Sequence, residues 1–151
     1  IIGKQLGANQ FKEAVDTDRK LIAFSAFLSA VIGIFVFLIG DKIPLLYNTT
    51  EETKELAGYF IKVCSLFIPV HSFANATYFT IRSGGKTLVT FLMDSVFIMC
   101  VSVPIAFSLY YVFNLPIHST FFIVQCIDII KVIIGLILVK KKVWLNNIVS
   151  E

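Results

Sequence analysis

Seven polar side chains in otherwise apolar surroundings are the ones placed to do chemistry in this chain. His71, Asn75 and Tyr78, with Arg82 beyond them, fall at i, i+4, i+7 and i+11, one stripe of a helix. Asp94 stands alone in a second apolar stretch. Gln125, Asp128 and Lys131 recur every three residues in a third, so Asp128 and Lys131 share a face and can pair. Histidine titrates near neutral pH, and a carboxylate in an apolar stretch is costly enough to suggest function. His71, Asp94, Asp128 and Lys131 are therefore candidates for coupling to an ion. His71, Asn75, Tyr78 and Gln125 are candidates for lining a substrate cavity. The plainer role for each is a hydrogen bond or ion pair holding helices together.

The elements that must position these groups are four long apolar stretches. Residues 21–40 contain no charge, and 56–81, 88–113 and 117–139 contain few ionisable residues. A bilayer core of ~30 Å takes about 20 apolar helical residues to cross. The sequence predicts an all-α integral membrane protein with four transmembrane helices over 21–139. An amphipathic segment, 1–20, precedes them and a basic tail, 140–151, follows. Counted from Arg82 and from Val139, His71 and Asp128 each lie ~16 Å deep, near the midplane. Pro69 and Pro104 are expected to disturb their helices. Ser25, Ser29 and Gly33 recur every four residues and predict a close helix contact. Lys62 lies within two turns of a span end and is expected to snorkel to the headgroups.

Charge placement predicts orientation. Lys4, Lys12, Arg19, Lys20, Arg82, Lys86, Lys140, Lys141 and Lys142 fall on one side of the spans, and only Lys42 and Lys54 on the other. Basic loops stay cytoplasmic, so both chain ends are expected there, with Trp144 just past the inner interface. The location expected is a plasma membrane, multi-pass, the partner being the lipid bilayer.

Other chemistry is absent from the pattern. Hydrophobic residues make up 57% and charged ones 15%, against about 25% charged in a soluble domain. The net charge of +3 sits in loops and gives no nucleic-acid surface. Cys64, Cys100 and Cys126 form no CxxC pair and no metal spacing, and read as reduced packing residues. No HExxH, GxSxG or phosphate loop occurs, so the chain is not expected to be an enzyme or to hold a cofactor. Arg82-Ser-Gly-Gly-Lys-Thr87 lacks the first glycine of a phosphate loop and follows no strand. Its glycines predict a tight turn between helices. Because the chain does not begin with Met, it is expected to be part of a longer protein.

Three segments carry a family resemblance. Ile2-Gly-Lys-Gln-Leu-Gly-Ala8 with Phe11, Glu13 and Ala14 resembles the inner loop after an even-numbered helix in MATE-type multidrug and toxic-compound extrusion transporters. Ile81 to Thr87, then Asp94, then Val103-Pro-Ile-Ala106, resembles that family's tenth-to-eleventh helix region. Lys131 through Gly135 to Lys142-Val-Trp-Leu-Asn146 is similar to its last helix and tail.

The resemblance implies roughly helices nine to twelve of a twelve-helix transporter made of two six-helix bundles, with the N-terminal bundle of the same chain missing here. It implies efflux of small amphipathic or cationic compounds by antiport with Na⁺ or H⁺ through alternating access, in a bacterial inner membrane. Where some members carry an acid on the tenth helix for the coupling cation, this chain has His71. A histidine is a poor Na⁺ ligand, because hard cations prefer oxygen. Two alternatives stay open: a lipid-linked oligosaccharide flippase of the same superfamily, and a self-contained four-helix membrane module.

Overall fold

The computed structural model describes residues 1–146; residues 147–151, the end of the basic tail, lie outside the described residues. A short helix α1, Ile2–Gly7, precedes α2, Phe11–Ile39. A single 3₁₀ turn, Pro44–Leu46, leads to α3, Glu51–Ser83. Then come α4, Thr87–Val112, and α5, Ile117–Lys140. The described residues contain no strand. All four of α2, α3, α4 and α5 are long and apolar enough to cross a membrane.

Local chemistry sets the ends. Thr50 caps α3, its Oγ1 accepting from the Thr53 N–H at 3.4 Å. The helix begins five residues before the apolar stretch, because Glu51 and Glu52 suit an N-terminal turn. Left-handed residues punctuate the joints: Asn9 before α2, Gly85 before α4, Asn114 before α5 and Lys142 after it. α2 starts ten residues upstream of the apolar stretch at Leu21, so the amphipathic segment and the first span are largely one helix.

The outside and inside are reversed relative to a water-soluble protein. Large apolar side chains such as Phe24, Phe27, Phe35, Leu38, Phe79 and Phe107 point outward. Many of the buried positions between the helices are occupied by small polar ones, among them Ser29, Ser65, Thr77, Thr80 and Thr90, alongside apolar residues such as Val63, Phe67 and Ile81. In lipid, small residues let helix backbones approach. Their hydroxyls bond to carbonyls one turn back, as in Ser65 Oγ to Lys62 O at 2.6 Å and Thr77 Oγ1 to Ala74 O at 2.7 Å.

α3 is the central element. It packs along α2 on one flank and along α5 on the other, while α4 meets α3 near the turn that joins them. The α2–α3 contact uses the small-residue face: Ser25 Oγ lies 2.7 Å from Ser72 Oγ, Ser29 is buried, and Gly33 sits against Ser65. A Cβ at Gly33 would come within 2.7 Å of the Ser65 carbonyl oxygen. That carbonyl is the one Pro69, four residues on, has no N–H to engage. α2 thus closes over the backbone group that the proline frees. In α4 the disturbance takes the form of π-helical turns, Leu92–Val96, Ile98–Ser102 and Ser108–Val112, around the α-helical piece containing Pro104.

The end carrying α1 and the described start of the tail is packed together. Trp144 is 1% exposed and packs on Ile2, Leu6 and Ala14. Its indole N–H donates to Val139 O at 3.3 Å. This differs from an aromatic standing at a lipid interface, because the tail folds back across the α3–α4 turn. Gly84 makes room for it: a Cβ there would lie 2.0 Å from the Trp144 carbonyl oxygen. At the opposite end, Lys62 reaches past the edge of its span and pairs with Asp41 at 2.6 Å.

Candidate functional site

The polar groups of α3 and α5 meet halfway along the bundle. His71 is delivered by the helical turn after Pro69, Asp128 and Lys131 by consecutive turns of α5. Asp128 lies between the other two: Oδ1 is 2.8 Å from Lys131 Nζ, and Oδ2 is 3.7 Å from His71 Nδ1. The Lys131 side chain is only 8% exposed, Asp128 is mostly buried, and His71 is half open. Lys131 also lies over the Phe97 ring of α4, 5.7 Å from its centroid, so the cluster draws on α3 through His71, on α4 through Phe97 and on α5 through Asp128 and Lys131. A negative, a positive and a titratable group thus sit within one cluster, with His71 its open side.

Tyr78 is two turns further along α3. It is buried with Ala74 and Met93, backed by Val89, Val132 and Leu138. Its hydroxyl is buried with no hydrogen-bond partner among the described residues. Phe67 stands one turn before His71 (ring centroids 6.4 Å apart) and makes an edge contact with Phe122 of α5. Gln125 is half-buried, its amide 3.9 Å from Cys64 Sγ. The three cysteines are free; Cys64 and Cys100 are exposed on this chain, and Cys126 is half-buried.

The stripe read along α3 divides. His71 faces α5 and Tyr78 packs toward α4 and α5, whereas Asn75 is exposed and lines a groove between α2 and α3 with Ser25 and Ser72. Arg82 turns to the Phe79 ring, 5.8 Å from its centroid. Asp94 is exposed and makes no ion pair among the described residues, so it does not join helices through a salt bridge to Arg82 or Lys86. The π-helical turn at Leu92–Val96 directs Met93, not Asp94, into the interior.

One buried acid lies outside the residues singled out by sequence. Asp18 of α2 is 2% exposed and accepts a hydrogen bond from the Thr80 hydroxyl of α3. The signal was its register: Asp18, Ile22, Ser25, Ser29 and Gly33 follow one another at intervals of three or four. Asp18 therefore extends the small-residue face of α2 by two turns.

Among the described residues no group of three or more His, Cys, Asp or Glu side chains gathers as a metal site. The arrangement is that of a helical membrane protein with a cluster of ionisable side chains between packed helices. The MatE family model matches residues 1–112, and the chain belongs to that family of transporters. The match ends where α4 ends, so Asp128 and Lys131 lie beyond it. No curated protein and no solved structure gives a significant match.

Proposed function

We propose that the chain is the C-terminal part, about helices nine to twelve, of a secondary efflux transporter that exchanges small amphipathic or cationic compounds for protons by alternating access. The observation that carries this reading is the His71–Asp128–Lys131 cluster. An ionisable triad between packed helices at membrane depth is expensive, and such groups mark ion or proton pathways. Protons suit it better than Na⁺. The ammonium of Lys131 already occupies one Asp128 oxygen, and His71 offers nitrogen where a hard cation prefers oxygen. Protonation of His71 would strengthen its pull on Asp128 and loosen the hold on Lys131, giving two arrangements of α3 against α5. Tyr78, Asn75, Gln125 and Asp94 are the further polar groups available to a substrate path. The aromatic pair Phe67 and Phe122 beside the cluster suits an organic cation.

A lipid-linked oligosaccharide carrier is the second reading, and it needs cationic groups for pyrophosphate. Lys131 is the base at this depth and is already neutralised by Asp128, which favours the first. Two experiments test the proposal. The coding DNA upstream of Ile1 should hold about eight further apolar spans in frame; a start codon within a few residues of Ile1 would overturn the two-bundle placement. In vesicles bearing the intact protein, an imposed proton gradient should drive movement of a fluorescent organic cation. Movement driven by a Na⁺ gradient alone would overturn the proton assignment.

A further inference from the structure

A cavity of about 380 Å³ opens at the end of the bundle that carries α1 and the described start of the tail, between α2, α5 and the tail. Its walls are apolar and belong to the helices: Ile22 from α2, Phe73 from α3, Leu136 from α5. Its rim is basic: Arg19, Lys140 and Lys142 line it from three separate segments. None of the three forms an ion pair among the described residues, although Lys20, Lys54, Lys62 and Lys131 all do. The one acid among the described lining residues, Asp18, is turned to Thr80. Lys142 is brought to the rim by a left-handed backbone turn (φ 57°), which folds the tail over the opening.

Arg19 is attracted by the neighbouring Asp18, but Lys140 and Lys142 have no ion-pair partner among the described residues. A basic rim over an apolar slot at the end of membrane-crossing helices matches one kind of molecule: an amphiphile with an anionic head. We propose that this cavity is a binding site for an anionic phospholipid. Its phosphate sits among Arg19, Lys140 and Lys142, and an acyl chain lies along Ile22, Phe73 and Leu136. Basic pockets between helices at a membrane face hold anionic head groups in this way. A zwitterionic lipid carries its own ammonium beside the phosphate and gains less from the same rim. The lipid would tie α2 to α5 across α3 and clamp the tail. The site is independent of the transport reading.

Trp144, the only tryptophan among these 151 residues, lines this cavity and reports on it once any tryptophan outside them is replaced by phenylalanine. The full chain is reconstituted in bilayers containing phosphatidylglycerol or phosphatidylcholine whose acyl chains are brominated near the head group. Quenching of Trp144 is then compared at equal mole fraction. Association of the brominated phosphatidylglycerol is expected to exceed that of phosphatidylcholine by at least about threefold, given the attraction each basic residue exerts near a lipid surface. The triple variant Arg19→Gln/Lys140→Gln/Lys142→Gln should bring the ratio close to one. A control that removes as much charge at the same end but off the cavity, Lys4→Gln/Lys12→Gln/Lys141→Gln, should keep it. Equal quenching by both lipids in the unaltered chain overturns the proposal. So does an equal loss of preference in the two triple variants, which would mean attraction by surface charge alone. If inorganic phosphate at millimolar concentration abolishes the preference, a free anion and not a lipid occupies the rim, and the lipid assignment fails.

Discussion

His71 Nδ1 lies 3.7 Å from Asp128 Oδ2, and that contact is where α3 and α5 bring an ionisable group from each helix together halfway along the bundle. Because Asp128 also holds Lys131 at 2.8 Å, its carboxyl group is shared between an amine on its own helix and an imidazole on α3. The consequences can be measured one by one.

Removing one member of the buried pair leaves the other charge stranded. Asp128→Ala should cost about 3–5 kcal/mol, because Lys131 is then buried without an anion. The double change Asp128→Ala/Lys131→Leu should recover most of that loss. Denaturant unfolding followed by circular dichroism checks both; a double variant as unstable as the single one would mean that the pair itself, and not the stranded charge, sets the cost.

Gly33 should be intolerant of any side chain. A Cβ at 2.7 Å from the Ser65 carbonyl oxygen forces α2 and α3 apart, and overpacking of this kind costs typically ~1–3 kcal/mol. Gly33→Ala should lower the melting temperature, and Gly33→Leu should lower it further. Gly3, with open space around it, should accept alanine without change.

The Asp18–Thr80 contact gives a third test. Thr80→Val keeps the shape and removes the donor, leaving a buried carboxylate short of a hydrogen bond at a cost of roughly 1–3 kcal/mol. Thr80→Ser should restore most of the stability. A Thr80→Val variant as stable as the parent would show that the contact does not hold α2 to α3.

The packing of the tail predicts a coupled pair of effects. Trp144→Ala removes the large side chain on which Ile2, Leu6 and Ala14 pack, and truncating a buried aromatic costs about 3–5 kcal/mol. Gly84→Ala should act in the same direction, since its Cβ meets the Trp144 backbone. Protease cleavage within α1 and the tail should accelerate in both variants.

The four helices and the family were legible in the sequence because an apolar run of bilayer length has one economical solution, a helix. The helix contact through Ser25, Ser29 and Gly33 was legible for a related reason: small residues at that spacing leave a groove. The pairing of Asp128 with Lys131 followed from helical spacing alone. The division of the α3 stripe was not legible. Asn75 and Tyr78 are three residues apart, close enough in angle to look equivalent, yet the neighbours of α3 lie on opposite flanks and separate them. The outward direction of Asp94 was not legible for another reason: it lies within a π-helical turn, and periodicity assumes a uniform helix. The burial of Trp144 was not legible either, because sequence carries no sign that the tail turns back on α1.

The most direct test of the central claim is proton-gradient-driven transport by the intact protein in membrane vesicles, measured against pH for the parent, His71→Ala and Asp128→Asn. The account predicts that Asp128→Asn abolishes gradient-driven movement of the organic cation. It predicts that His71→Ala flattens the pH profile between about pH 5 and 8, the range in which an ordinary histidine titrates. Parent-like rates and an unchanged profile in both variants would contradict it, and the cluster would then be a structural join between α3 and α5.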